Sequence, residues 1–463
     1  MIRRMLTILL ALVLPVCAAA AEELFPARVG DEWGYIDREG RMVIAPQWQD
    51  VLPFQQGYAI VSAADTDDAL IDTQGAYVIS PEDGYSLEMY DHAVRIISEA
   101  GEGFFDLKSG YLLPPQTEYA FVMLWGDDGS GPIAVQRADG LTGYVDRSTG
   151  AVAIPFRYTG ESDNVAFRSG YALPGNELLM DEDEVWHEVQ PGDVEPDWTV
   201  FGWGMRYHLI DAQGREIDFP AEVTPISGVE QGVVIVQSGD GTGLMTPQGE
   251  IILPPAPLWH IWEPDAEGML CFIDDNGEGS LCGHMDLQGR VIVPARYDVV
   301  TGGEMPHYAF RNGYAVLNVT QGTILLRKDG VELARLPRLR DGRWLEWSDV
   351  SAEGCLWESS WTTERGEQGI VRQADKRFRL MRVTEDGVIP LSDAQYENAR
   401  DMTEGLAAVC SGGLWGYVDA SGTLAIPCVW DEARPFDRGL AQVERGGRMA
   451  YIDATGNVVW QED

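Results

Sequence analysis

"EWGYIDREGRMVIAPQW" runs from Glu32 to Trp48, and "LWGYVDASGTLAIPCVW" runs from Leu414 to Trp430, 382 residues later. The two stretches align without a gap. In the first, Trp33, Tyr35 and Asp37 point to one side of an extended strand, and Gly34 and Ile36 to the other. The "DREG" that follows reads as a turn. Asp37 can cap backbone N–H groups there, and Gly40 can supply the positive φ of a compact hairpin. A second strand, "RMVIAP", alternates again and stops at Pro46, which cannot donate to a ladder.

The marker aspartate recurs as Asp37, Asp72, Asp106, Asp146, Asp211, Asp286, Asp419 and Asp453, with degenerate copies at Thr246, Arg327 and near Arg382. Intervals of 35, 34 and 40 residues separate the first four markers, and 34 the last two, which makes eleven copies. A third strand follows a glycine in most copies, as in Gly57-Tyr58-Ala59, Gly313-Tyr314-Ala315 and Gly439-Leu440-Ala441. The small residues there suggest close approach of neighbouring backbones. Each unit of about 35–40 residues therefore reads as three short strands with turns between them. So small a unit cannot bury its own apolar face and must stack on its neighbours.

The expected fold class is all-β: tandem three-stranded repeats forming a curved β array, with two propeller-like halves as the alternative. Eleven units exceed the roughly 4–8 blades of a typical closed propeller. The expected organisation is a leader at 1–21, repeats over 22–175, an acidic irregular insertion at 176–204, degenerate repeats over 205–375 and further repeats over 376–463. The insertion, "NELLMDEDEVWHEVQPGDVEPDW", is read as a loop or hairpin excursion from the array.

These residues resemble the bacterial WG-repeat (KWG-repeat) proteins. Trp33-Gly34 and Trp415-Gly416 match the name-giving pair, and "PFQQGYA" from Pro53 and "PFDRGLA" from Pro435 match the closing element. The match is strong in the first and last complete units, moderate at Gly143-Tyr144 and Gly283, and weak between Arg327 and Arg382. The resemblance implies tandem β units, often exported or surface-associated, and mostly without an assigned activity.

Arg3 and Arg4, an apolar run from Met5 to Val16 and the small residues Ala18 to Ala21 have the layout of a secretory signal peptide. That run is shorter than the roughly 20 residues a membrane span needs. A lipoprotein reading would use Cys17, but Val16 is a poor residue before a lipidated cysteine. The expected location is therefore secreted or cell-surface, without membrane insertion after cleavage. The formal charge of −41 becomes about −43 without residues 1–21, a field that repels phosphate backbones and anionic membrane surfaces. Nucleic acid is excluded as a partner on this ground.

Cysteines 271, 282, 355, 410 and 428 would remain in the mature chain. Cys271 and Cys282 could meet across a hairpin, and Cys410 and Cys428 could face each other on neighbouring strands. Alternatively all five are small buried apolar residues. None shows zinc-ligand spacing.

No short catalytic motif is present, and His92, His187, His208, His260, His284 and His307 form no local cluster in the sequence. "DDNGEG" from Asp274 begins like a calcium loop, but Met285 stands where the closing glutamate belongs. "DEDE" at Asp181 is a solvated charge run. No catalytic, cofactor-binding or metal residue is assigned, no cofactor is expected, and ligand-binding residues are left unknown. Trp125, Trp259, Trp262, Trp344, Trp347, Trp357 and Trp361 lie off the repeat pattern and could stack on sugar rings, although filling gaps between irregular units is the favoured explanation. Residues 338 to 361 depart furthest from the pattern and are richest in tryptophan, so a functional surface is expected there first. The reading is an exported, non-enzymatic scaffold for protein or glycan interaction at the bacterial cell surface. The alternative is a carbohydrate-active hydrolase with two carboxylates about 5–10 Å apart beside exposed tryptophans.

Overall fold

The computed structural model describes residues 23–462 apart from 64–66, 160–164, 181–184, 190–201, 221–222, 240, 258, 276–279, 299–307 and 366–370. The leader and Cys17, the "DEDE" run, His307 and most of the calcium-like loop lie outside the described residues.

Each marker aspartate builds the turn that its sequence suggests. Asp37 Oδ1 accepts from the N–H groups of Glu39 at 3.0 Å and Arg41 at 2.8 Å. Asp419 repeats this with Ser421 at 2.8 Å and Thr423 at 3.0 Å. The Ser421 hydroxyl and these N–H groups hold the Asp419 carboxyl below the usual carboxylate range. The marker is thus a turn cap.

Three strands per repeat are found, with two refinements: the second strand does not stop at Pro46 but runs on to Trp48, and it then divides its pairing. Leu424–Trp430 pairs with Leu414–Asp419; after Asp431 the chain continues as Glu432–Ala433, which pairs with Leu440–Arg445 of the following sheet. Met42–Trp48 and Asp50–Val51 do the same at the other end of the chain. The proline-bearing strand is therefore split between two sheets, and most sheets come out four-stranded. Among the described residues of the expected insertion, Gly175–Met180 is flanked by Trp186–Glu188 and Gly202–Tyr207.

We number the eleven sheets along the chain as blades, counting the excursion with blade 5. Each neighbouring pair shares one apolar cluster. Tyr35, Ile44 and Trp48 of blade 1 meet Ala59, Val61 and Ile71 of blade 2. Leu406, Tyr417 and Trp430 of blade 10 (Asn398–Trp430) meet Phe436, Ala441 and Ile452 of blade 11 (Glu432–Gln461). The same packing joins blade 11 back to blade 1, where Leu440, Met449 and Tyr451 enclose Phe25, Ala27 and Ile36.

A tyrosine in the marker strand ties consecutive blades. Tyr35 Oη donates to Leu52 O at 2.8 Å, Tyr144 Oη to Val165 O at 3.0 Å and Tyr417 Oη to Arg434 O at 2.7 Å. Tyr451 Oη makes the equivalent bond to Pro26 O at 3.0 Å, across the closure. The curved array continues until its ends meet. It forms one propeller-like ring, and the division into two halves does not occur. The ring holds more units than a typical propeller, and at its joints small residues such as Ala59 and Ala441 are fully buried.

The glycine two residues before those alanines has a different role from the close approach expected of it. Gln56 and Gly57 have φ of 49° and 90°, and Gln55 and Tyr58 exchange both backbone hydrogen bonds. This is a two-residue turn with positive φ at both central positions, which matches the twist of the strands it joins. A Cβ on Gly57 would meet nothing within 4 Å. Gly57→Val is therefore expected to cost about 1–2 kcal/mol in urea unfolding, and Gly57→Asn much less, since asparagine tolerates the left-handed region. Equal losses for the two would refute a conformational origin.

Candidate functional site

Blade 9 is the irregular one. It comprises Leu339–Arg340, Arg343–Trp347, Cys355–Arg365, Val371–Thr384 and Gly387–Pro390. Its central hairpin has arms of 11 and 14 residues, the longest strands among the described residues. Arg343 braces that hairpin, with Nη1 at 2.7 Å from Asp375 and Nη2 donating to Ser360 O at 3.2 Å.

The off-pattern tryptophans separate by face. Trp347 and Trp357 are buried in the contacts with blades 8 and 10, respectively, and are core. Trp357 Nε1 donates to Arg400 O at 3.0 Å. Trp344 and Trp361 stand opposite each other on adjacent strands and are only half-buried. Trp262 is also half-buried, and Trp125 is 77% exposed. The side chain of Trp259 lies outside the described residues.

Trp344 and Trp361 line a groove of about 420 Å³ shared with blade 8 (Tyr314–Pro337) and completed by Arg338, Arg372, Glu346 and Asn318. The Arg338 guanidinium lies 5.9 Å from the Trp344 ring centre, and the Lys376 ammonium 5.6 Å from that of Trp361. Both contacts orient the rings while leaving ring surface open to the groove. Asn318 Nδ2 donates to Glu346 Oε1 at 3.2 Å, and Thr323 Oγ1 donates to Asn318 Oδ1 at 3.0 Å. Among the described residues neither Arg338 nor Arg372 forms an ion pair. The local charge runs against that of the chain: residues 335–382 hold ten of the 33 Lys+Arg but only eight of the 74 Asp+Glu.

Two other hollows differ in chemistry. One, of about 640 Å³, surrounds Trp125 with Asp91, Asp127, Asp128 and Glu230. Its carboxylates are all engaged. Asp127 binds Arg147 at 2.7 and 2.8 Å, Asp128 accepts from the N–H groups of Ser130 at 2.8 Å and Ser169 at 2.6 Å, Glu230 pairs with Arg168 at 2.9 Å, and Gln55 reaches Asp91 at 3.3 Å. The other lies at the ring closure beside Trp33, where Arg28 pairs with Glu462 at 2.9 Å and Arg400 with Glu432 at 3.0 Å. Among the described residues, the groove of blade 9 alone of these three keeps both its arginines free of carboxylates.

The cysteine expectations divide. Cys410 and Cys428 share blade 10 but sit on non-adjacent strands and opposite faces, Cys410 toward blade 11 and Cys428 toward blade 9, so they do not face each other. Cys271 and Cys282 do meet, with Sγ atoms 3.3 Å apart as free thiols. His284, isolated in the sequence reading, joins them: the ligand atoms of the three residues lie within 4.8 Å of one another. The spacing of 271, 282 and 284 matches no short zinc motif, so only the pairing of two strands could reveal the group.

The family described as "WG containing repeat" matches residues 33–63, 390–415 and 415–448. No curated protein matches the sequence. Similar solved structures include a eukaryotic initiation factor, 8% identical over 81% of this chain and 96% of that one with a TM-score of 0.41. BamB from Moraxella catarrhalis is 13% identical over 70% and 96%, with a TM-score of 0.26. Apo AztD from Citrobacter koseri is 11% identical over 82% and 94%, also at 0.26.

Proposed function

The chain belongs to the WG-repeat family, its repeats wound into a ring, and from that premise we propose that it acts outside the cytoplasm as a non-catalytic scaffold that binds a glycan in the groove of blade 9. The observation that carries this reading is the pair of half-buried tryptophans, Trp344 and Trp361, beside two guanidinium groups without carboxylate partners among the described residues. Pre-oriented rings offer an apolar platform for the face of a sugar, and Arg338 and Arg372 favour one bearing a carboxylate or sulfate. Glu346 is the one carboxylate among the described lining residues, and the acids around Trp125 are held in ion pairs and turns. Neither arrangement favours the two-carboxylate chemistry of a hydrolase. The signal-type layout of residues 1–21 supports the location.

Binding to immobilised acidic and neutral glycans tests the proposal. Trp344→Ala and Trp361→Ala are each expected to weaken an acidic glycan by about 2 kcal/mol, roughly 30-fold, with the ring still folded. Trp125→Ala is expected to leave it unchanged. Wild-type protein that binds no glycan, or binds only proteins through a face these variants do not touch, would overturn the reading.

A further inference from the structure

Blade 7 is built from Trp259–Ile261, Met269–Asp275, Ser280–Asp286 and Val291–Tyr297. On its two central strands Cys271 stands opposite His284, and Ile273 opposite Cys282. All three sulfur- and nitrogen-bearing side chains therefore project from one face, toward blade 8. Cys271 is 6% exposed, and Cys282 and His284 are fully buried.

The register separates two fates for the thiols. Cys271 and Cys282 are diagonal rather than directly opposite, and diagonal neighbours in an antiparallel pair lie about 7–8 Å apart at Cα. A disulfide cannot span more than about 7 Å without moving the backbone. Their Sγ separation of 3.3 Å instead approaches the roughly 3.8 Å that two sulfurs subtend across a tetrahedral zinc with bonds of about 2.3 Å.

The histidine supplies the second, independent observation. Its Nε2 lies 2.9 Å from Tyr308 O. A carbonyl only accepts, so Nε2 carries the proton and Nδ1 keeps the lone pair. Nδ1 is buried and has no hydrogen-bond partner among the described residues. Phe310, 5.1 Å away edge-on, helps hold the ring in place. An imidazole whose far N–H is anchored to a backbone carbonyl is the arrangement by which proteins orient a metal-ligating histidine. A buried lone pair with nothing to accept is otherwise a cost.

We propose that Cys271, Cys282 and His284 form a metal site for one zinc-class divalent ion, seated between blades 7 and 8. Binding forms two metal–sulfur bonds and one metal–nitrogen bond and releases the two thiol protons. Two thiolates balance the dipositive ion, so no net charge enters the apolar contact lined by Met269, Val293 and Phe310. A monovalent ion would leave one uncompensated negative charge there. The ion would cross-link the two central strands of blade 7 at its contact with blade 8.

The test uses the reduced full-length protein loaded with Co²⁺ as a spectroscopic probe and with Zn²⁺ in competition against a chromophoric chelator. One equivalent of Co²⁺ should produce a thiolate-to-metal charge-transfer band with release of two protons, Zn²⁺ should then displace it without further proton release, and Zn²⁺ added to the metal-free protein should raise Tm. Cys271→Ser and Cys282→Ser preserve side-chain size and should weaken zinc by roughly a hundredfold or more. His284→Gln, checked for folding by circular dichroism, should lose affinity as well. Folded, reduced wild-type protein that gives neither the band nor a Tm shift would overturn the site. So would serine variants that bind like wild type, or thiols isolated as a Cys271–Cys282 disulfide that still take no metal once reduced.

Discussion

Gly416→Ala will destabilise the ring by roughly 1–3 kcal/mol or more in urea unfolding, although it adds a single methyl group. The added Cβ would lie 2.4 Å from Ile426 O, 2.6 Å from Pro427 C and 2.7 Å from Cys428 N. All three are backbone atoms of the neighbouring strand, so no rotamer change can make room. The two strands must part, and the pairing of Trp415 with Trp430 and of Tyr417 with Ile426 must loosen. Gly34 meets Ile44 O at 2.3 Å in the same way. The glycine of the Trp-Gly pair is thus set by the approach of the proline-bearing strand, and its φ is not in the positive region. This distinguishes it from Gly57: asparagine should rescue position 57 and should be worse than alanine at 416. A Gly416→Ala protein with wild-type stability would show that the strand pair adjusts freely.

Ending the chain at Asn457 will open the ring. It removes Val458–Gln461, which pairs with Arg448–Asp453, together with Trp460, which packs 6.3 Å from Tyr451, and Val459, whose carbonyl lies against the Gly40 turn of blade 1. It also removes Glu462, which holds Arg28 at 2.9 and 3.1 Å and accepts from Met449 N at 3.1 Å. Partial burial of the two apolar side chains and loss of the charged hydrogen bonds together give about 4 kcal/mol. The expected result is a clear fall in Tm and faster hydrogen exchange in blades 1 and 11, with blades 5 to 7 unaffected. Uniform protection around the shortened chain would contradict closure through this contact. The Arg28 hydrogen bond holds the Glu462 carboxyl below its usual range. Its contribution is therefore present above the unfolded-state pKa and is lost as pH falls through the lower folded value. Glu462→Gln should remove that acid-dependent component.

The candidate groove was legible only in part. Trp344 and Trp361 stand out because they fall off the repeat, but so do Trp347 and Trp357, which are core. Trp344 and Trp347 are three residues apart on one strand, and an odd spacing places them on opposite faces. Choosing the exposed face requires knowing which neighbour each face meets. Arg338 and Arg372 are separated by a blade edge and a long hairpin, and nothing in their local context marks them as partners. The metal-ligating trio was hidden for a similar reason: His284 joins Cys271 through cross-strand register, which a linear motif does not encode.

By itself the amino-acid order determined the strands, the aspartate-capped turns, the period and the number of units, because alternation, capping and φ preference act over a few neighbouring residues. Tertiary structure alone decided that the proline-bearing strand serves two sheets and that blade 11 meets blade 1 through the same tyrosine bond and apolar contact used at internal joints. Closure depends on the small rotation between each pair of blades accumulated over eleven joints, and no single repeat carries that sum.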